Sequence, residues 1–394
     1  SNAGSGNVTL NVPSGGISQT TAGVITADTL GISSPNSVNL GVANNNITTL
    51  GTAVINVNDA LFSLKEADGV TLNQSINVTN NGAATVNITS GGVLTLPAAK
   101  IITATSTGNV AAANVTLSGS NGVNISSPIV ATGGGASSSV NAGVTLLSTD
   151  GPVAMNAGSS ITATDNGAAT ATGAAPHSAA VTITSGSRTA LVGNCIFFDI
   201  CTATVHDITA TSNQGRAVID VFGQGDLFNG VTVSGPLTAT GQTRPLIQLD
   251  AITRSGDDIL TAGNISTSGT INVVSTSSTA VNALADDVIG GVSIDGRNIT
   301  IGAKVESRHS GGAPNRAQDG ISINTRNNAT FNADVVTTSN GGIGITTGGN
   351  GTISGAGVIE AQNVNLVAPK SQGNFNIKTR IQPPAGVAGN GNLN

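Results

Sequence analysis

The two cysteines are the first residues whose spacing suggests a specific chemistry. Cys195 and Cys201 enclose the sequence Ile-Phe-Phe-Asp-Ile, and in an exported protein two cysteines this close favour a small disulfide loop. In an extended strand their Cα atoms would lie about 20 Å apart, whereas a disulfide needs roughly 4.4–6.8 Å, so the segment must turn back on itself. Such a loop would offer Phe197 and Phe198 as apolar contacts for a partner. The alternative is two reduced cysteines in the core.

The histidines are candidates for metal or acid–base chemistry. His206 is followed by Asp207, and Asp199 stands shortly before them. No second histidine stands at the spacing that metal sites normally show. We therefore expect His206 to be solvated or to cap a turn, and we predict neither a metal site nor a cofactor.

Two pairs of adjacent carboxylates could serve an enzyme that cleaves polysaccharides. The pairs are Asp257-Asp258 and Asp286-Asp287, and glycosidases use two carboxyl groups as acid and base. Adjacent residues of a strand point to opposite faces, so neither pair forms a dyad by itself. The chain also has no Trp and no Tyr, the residues that commonly stack against sugar rings. We therefore predict a noncatalytic protein.

A third set of candidate residues lies in segment 306–320. Arg308, His309 and Arg316 stand there among glycines and a proline, a composition typical of a loop. The sequence predicts an inserted loop whose charged side chains contact a ligand.

The elements that position these residues are restricted by the composition. The 394 residues include 53 Gly and seven Phe but one Met, so any core consists of small aliphatic side chains. Charged residues make up 9%, against about 25% in typical globular proteins. The net charge of -6 argues against nucleic acid and anionic membranes as partners. No apolar run approaches the roughly 18 residues of a membrane span, so we expect no membrane insertion.

Short apolar-polar-apolar triplets recur along the chain and indicate strands. Gly-Asn, Asn-Gly and Ser-Gly pairs separate them, as expected for turns. Strands this short must stack on similar neighbours, which favours an all-β, elongated, right-handed parallel β-helix over a sandwich or a barrel. The triplets stand at Val8–Leu10, Ile25–Ala27, Val38–Leu40, Ile55–Val57, Val70–Leu72, Val86–Ile88, Val115–Leu117, Val144–Leu146 and Val181–Ile183.

Charge and composition divide the predicted solenoid into segments. Residues 4–190 are expected to form regular coils with few charges, because only nine charged residues precede position 191. Residues 191–230, with both cysteines, are predicted to be an irregular insertion. Coils resume over 231–382, interrupted by the loop near 306–320. The Gly-, Asn- and Pro-rich segment 383–394 reads as a tail or linker.

The repeat texture resembles a known family. Asn77–Gly82, Gly91–Leu96 and Ala157–Thr164 are similar to stretches of filamentous haemagglutinin-like exoproteins of two-partner secretion systems. The resemblance implies a right-handed parallel β-helix that an outer-membrane transporter exports to the bacterial cell surface. The secretion modules of that family carry Asn-Pro-Asn-type motifs, to which only Ser34–Ser37 comes near. The chain therefore reads as a passenger segment.

These observations lead to one expected function and two alternatives. We expect a secreted or surface-exposed adhesin segment that attaches to a host glycan or protein, or to matrix polysaccharide in a biofilm. The alternatives are a passive stalk for a toxin or adhesin tip elsewhere, and a β-helix polysaccharide-processing enzyme with acids such as Asp257 and Asp286 on one face.

Asn-X-Ser/Thr sequons are frequent, and some adhesins are glycosylated at such sites. Alternation of Asn, an aliphatic residue and Thr also generates sequons by composition alone. The sequence leaves both explanations open for Asn7, Asn46, Asn73, Asn77, Asn87, Asn114, Asn124, Asn264, Asn298 and Asn328.

Overall fold

The chain folds into stacked β-coils in the computed structural model. Every element with described bounds is a β-strand. The structure describes residues 6–51, 55–108, 112–134, 140–167, 178–190, 195, 201–213, 215–225, 229–242, 244–255, 258–276, 291–309, 320–338, 342–349, 351–361, 363–367, 374–375, 380–382 and 392–393.

From β5 onward, each coil contributes one strand to each of three faces. Face 1 consists of β2 (Ile17–Ser18), β4 (Val38–Leu50), β6 (Leu61–Glu66), β9 (Ala84–Ser90), β12 (Ala113–Gly119), β15 (Val140–Ser148), β18 (Ser178–Ser185), β21 (Arg216–Gly223), β24 (Leu246–Asp250), β29 (Gly291–Gly296), β32 (Ile321–Thr325), β35 (Ile343–Thr347), β38 (Asn363–Val367) and β41 (Asn392–Leu393). Face 2 consists of β1 (Asn7–Asn11), β3 (Thr26–Ser33), the end of β4, β7 (Val70–Leu72), β10 (Val93–Leu96), β13 (Gly122–Ile125), β16 (Val153–Met155), β19 (Ala203–Val205), β22 (Asn229–Val233), β27 (Asn264–Thr267), β30 (Ile299–Ile301), β33 (Ala329–Phe331), β36 (Thr352–Gly355) and β39 (Asn374–Phe375). Face 3 consists of β5 (Ile55–Val57), β8 (Ile76–Asn80), β11 (Ile102–Ser106), β14 (Ile129–Gly133), β17 (Ile161–Asp165), β20 (Ile208–Ser212), β23 (Leu237–Gly241), β28 (Ile271–Ser275), β31 (Val305–His309), β34 (Val335–Thr337), β37 (Val358–Glu360) and β40 (Arg380–Gln382).

From β6 onward the chain visits faces 1, 2 and 3 in that order, and the three faces are built from parallel pairs. A coil is short: Asn77 bonds to Asn56 21 residues earlier, and Thr149 bonds to Ser120 29 residues earlier. The predicted parallel β-helix is confirmed. Connections between parallel strands are right-handed in about 98% of cases, which is the hand that we predict.

The interior is filled by columns of mainly aliphatic side chains, one from each coil, but Phe62 and Phe331 also lie in this core, which the composition did not predict. On face 1, Val115 lies between Val86 and Val144, and all three are at most 1% exposed. On face 3, small residues form the matching column, with Ala131 between Ala104 and Ala163. Burial of each valine or isoleucine stabilises the fold by about 1.5–3 kcal/mol.

The three corners of the solenoid differ in how much chain they carry. The corner between faces 2 and 3 is short throughout. Its segments range from two residues, at 206–207, to five residues, at 156–160. The corner between faces 1 and 2, here named corner 1–2, carries two long segments, 186–202 and 251–263, on either side of a coil whose segment at this corner is the short 224–228. The corner between faces 3 and 1, here named corner 3–1, has its longer connections at 107–112, 134–139, 166–177, 276–290, 310–320 and 383–391.

The observed strands do not coincide with the predicted segment boundaries. Residues 191–230 contain β19, β20 and β21 in register with their neighbours. The departures from regular coils are therefore confined to the corners of that segment. Within the predicted tail 383–394, β41 pairs with β38 in parallel. The predicted loop 306–320 begins later than expected, because β31 extends to His309.

Asparagine side chains link successive coils at the start of face 2. Asn298 donates to the side chain of Asn264 at 2.8 Å and accepts from the backbone N–H of Asn328 at 3.2 Å. Asn328 in turn accepts from the backbone N–H of Thr352 at 2.9 Å. Each of these asparagines precedes one inward aliphatic residue and one outward Ser or Thr. The ladder therefore accounts for three of the sequons on structural grounds.

Close approach between coils makes one glycine sterically necessary. A Cβ on Gly269 would lie 1.9 Å from the carbonyl oxygen of Gly235 in the preceding coil. We expect Gly269→Ala to lower the free energy of unfolding by about 2–4 kcal/mol because the backbones must move apart. Gly344→Ala, where a Cβ meets nothing within 4 Å, is the matched control and should change stability little. Equal urea-denaturation midpoints for the two variants would contradict this packing.

A buried carboxyl group lies at corner 1–2 in an early coil. Glu66 is 2% exposed and accepts a hydrogen bond from the backbone N–H of Ala67 at 3.0 Å. Burial raises the pKa of Glu66 to about 7, and backbone hydrogen bonds from Ile47, Ala67 and Asp68 oppose this rise only in part. The neutral form is therefore favoured in the folded chain.

Glu66 should make the stability of the fold pH-dependent. Below pH 4.5 the carboxyl is protonated in both states, and its full contribution is present. As the pH rises to about 7 the unfolded chain ionises first, so stability falls by about 3 kcal/mol. Glu66→Gln should abolish this loss, whereas Asp28→Asn, at an exposed carboxylate of β3, should retain it. Urea denaturation at pH 4 and pH 8 measures this change in the free energy of unfolding. The same change in wild type and in Glu66→Gln would contradict the prediction.

Candidate functional site

The inserted segments of corner 1–2 contact one another and form the candidate site. Gln224, fully buried, accepts from the backbone N–H of Ser187 at 2.7 Å and donates to the carbonyl oxygen of Ala190 at 2.9 Å. The second insertion contains the antiparallel hairpin of β25 (Ile252–Ser255) and β26 (Asp258–Ala262). Its Thr253 hydroxyl donates to the carbonyl oxygen of Ser187 at 3.1 Å. Described parts of the two insertions and of the segment 224–228 between them therefore form one surface.

Arg188 fastens this surface to the outer side of face 1. Its guanidinium lies 2.6 Å from Oδ1 of Asp220 and 2.9 Å from Oδ2 of Asp250, carboxylates of two successive coils. It also stacks over the ring of Phe222, with Cζ 4.7 Å from the ring centre. Alternation along β21 directs Phe222 outward, yet it is fully buried. We name Arg188, Asp220, Phe222 and Asp250 the Arg188 clamp.

The clamp carboxyl groups have perturbed acidity. Burial raises the pKa of Asp250 to about 6; Asp295 on the next coil adds to the rise, while the N–H of Ile252 and the charge of Arg188 oppose it. Burial likewise raises the pKa of Asp220, against the charge and hydrogen bond of Arg188. Both shifts follow from the partial burial of these carboxylates beneath an insertion. Their ion pairs with Arg188 explain why such groups are tolerated there.

The two cysteines lie within the first insertion. Cys195 and Cys201 form a disulfide with a Cα–Cα distance of 4.8 Å, and both are fully buried. Phe197 and Phe198, which we predict as contacts, lie outside the described residues. The disulfide shortens the span of the insertion just before β19 resumes the regular coil.

A groove of about 290 Å³ adjoins the hairpin. One side consists of Ile259, Leu260, Thr261 and Ala262 of β26, and the other of Arg297, Arg326 and Asn327. Arg297 directly follows β29 and Arg326 directly follows β32. The coils are joined there by the bond from the N–H of Asn327 to the carbonyl oxygen of Arg297, at 2.8 Å. The two arginines thus occupy equivalent places in neighbouring coils.

The other predicted binding residues lie elsewhere. Arg308, exposed, and His309, half-buried, end β31 at corner 3–1. β31 is three coil steps beyond β20, the face 3 strand that follows the disulfide. The structure therefore does not bring Arg308 and His309 together with Cys195 and Cys201. Arg316 lies outside the described residues.

The residues considered for acid–base chemistry are only partly described. Nδ1 of His206 lies 3.3 Å from Oδ1 of Asp207. Asp258 is exposed at the start of β26, whereas Asp199, Asp257 and the pair 286–287 lie outside the described residues. In the part of the chain that is described, no three His, Cys, Asp or Glu side chains are grouped so that they could hold a metal ion.

Sequence reasoning missed Arg188, Arg297 and Arg326. A signal for the last two exists, since the dipeptide Arg-Asn stands at 297–298 and again at 326–327, just before face 2 strands of successive coils. Arg188 has no comparable signal, because its partners Asp220 and Asp250 are distant in sequence.

Comparison with known proteins finds no match, so the geometry of the candidate site is the evidence for function. Neither a family model, nor a curated protein, nor a solved structure matches this chain. In the described ranges, no helix has the length and apolar character needed to cross a membrane.

The Arg188 clamp should hold the first insertion in place. Arg188→Ala leaves two half-buried carboxylates without their cation and uncovers Phe222, so we expect a loss of about 1–3 kcal/mol. Amide hydrogen exchange of residues 186–190 should accelerate, and the melting temperature should fall. Arg308→Ala, at an exposed arginine of corner 3–1, is the control and should change neither. Unaltered exchange in Arg188→Ala would show that the clamp does not hold the segment.

Proposed function

We propose that the chain is a noncatalytic binding segment of a secreted or surface-exposed bacterial adhesin, with corner 1–2 as its contact surface. Its targets are a host glycan or protein, or the polysaccharide of a biofilm matrix. In this proposal the coils provide a rigid support and the insertions provide the specificity.

One observation carries the proposal: two long insertions, 186–202 and 251–263, lie at the same corner, and they bond to each other and to the segment 224–228 between them. Independent loops on a stalk would not need the contacts that Gln224 and Thr253 make between these segments. Binding residues are commonly placed on loops that a rigid scaffold positions. The adjoining groove gives the surface a concave site.

The two alternatives predict different outcomes in the same assays. A passive stalk would bind no ligand through corner 1–2. A polysaccharide-processing enzyme would release new reducing ends from a polysaccharide that it binds.

The test is a binding screen of the purified chain against immobilised glycans and matrix proteins, with two matched variants. Leu260 is 38% exposed on the hairpin, and Leu260→Asp places a charge on the proposed contact surface. Thr209 is exposed on β20 of face 3, and Thr209→Asp places the same charge away from it. We expect saturable binding that Leu260→Asp weakens at least tenfold and Thr209→Asp leaves unchanged.

Each other outcome identifies an alternative. Absence of saturable binding would favour the stalk, and binding that both variants retain would place the site outside corner 1–2. Reducing ends released by wild-type protein would favour the enzyme. Melting temperatures of both variants should match wild type, since both positions are exposed.

A further inference from the structure

The groove beside the hairpin has an excess of positive charge. Arg297 is half-buried and Arg326 is exposed. Among the described residues, no carboxylate lies within 4.0 Å of either guanidinium, although Asp258 and Asp295 stand close to the groove in sequence. In the described part of the chain, the groove lining contains these two arginines and no carboxylate.

The backbone holds these two arginines at a fixed spacing. The N–H of Arg326 donates to the carbonyl oxygen of Gly296 at 3.0 Å, and β29 pairs with β32 in parallel register up to Gly296 and Thr325. Neighbouring coils therefore place the two Cα atoms about 5 Å apart. Each guanidinium group offers a planar pair of donors, which matches the two oxygens of a carboxylate.

The remaining lining favours a sugar over a peptide as the carrier of that carboxylate. Leu260 and Ala262 provide apolar surface, whereas Thr261 and Asn327 carry hydrogen-bonding groups. Oγ1 of Thr261 is buried and has no hydrogen-bond partner among the described residues. A sugar ring presents both apolar C–H groups and hydroxyls to such a surface. The volume of about 290 Å³ is at the small end of ligand sites, which suits one ring.

We infer that this groove binds a uronic acid unit of an acidic polysaccharide, with Arg297 and Arg326 on its carboxylate. The inference rests on the proposed function, because it names the ligand class of that contact surface. The overall negative charge of the chain disfavours nonspecific attachment of a polyanion, so binding depends on the groove itself.

The test compares one oligosaccharide in two charge states. An oligogalacturonate of defined length is titrated against the full chain, and the fully methyl-esterified form of the same oligomer is the neutral probe. We expect saturable binding of the acid that weakens with added salt, and no binding of the ester. Arg297→Ala and Arg326→Ala should each weaken binding about tenfold or more, whereas Lys304→Ala, at an exposed cation outside the groove, should bind as wild type.

Other outcomes overturn the inference without deciding the proposed function. The inference falls if the acid does not bind, if the ester binds equally, or if both groove variants bind as wild type. Stronger binding of poly-glutamate than of the oligogalacturonate would assign the groove to acidic peptides. In each case, if the binding of other ligands found in the screen is still weakened by Leu260→Asp, the proposed contact surface at corner 1–2 stands. Arg297→Lys and Arg326→Lys keep the charge and provide the test if an alanine variant does not fold.

Discussion

Parallel pairing of each coil with the next is the interaction on which this structure depends. Strands of three to nine residues, such as β7 and β15, cannot bury a face alone. Pairing on both edges satisfies their backbone groups and stacks identical side-chain positions in columns. Every inward position then repeats at each coil. The size of each inward side chain is therefore restricted by the side chains above and below it in the same column. The Ala column on face 3 is a direct consequence.

This constraint also determines where the chain can vary. A residue added within a strand would shift all inward side chains outward, whereas a residue added at a corner leaves the register intact. The insertions accordingly lie at corners 1–2 and 3–1. Insertions on successive coils are about 5 Å apart, close enough to contact one another. Stacking thereby converts separate loops into a continuous surface.

The polar groups of corner 1–2 differ in how the fold accommodates them. The carboxyl of Glu66 is buried without a cation, and its pKa is raised. Asp220 and Asp250 are half-buried beneath an insertion but share Arg188. Arg297 and Arg326 have no described carboxylate partner and border a groove. A buried charge that has a partner of opposite charge can contribute to the stability of the fold. A charged side chain that has no such partner and borders a groove is available to a ligand.

The sequence by itself determined the class of the fold and its inward residues, because short apolar-polar-apolar triplets have few ways to bury a face. It also contained a coil marker that our reading did not use: Ile/Leu-Thr-Ala-Thr at 102–105, 161–164, 208–211 and 237–240, always on face 3. Only the tertiary structure decided which corners carry insertions and which distant residues meet there. Arg188 and Asp250 become neighbours through coil stacking, a long-range relation that no local pattern encodes.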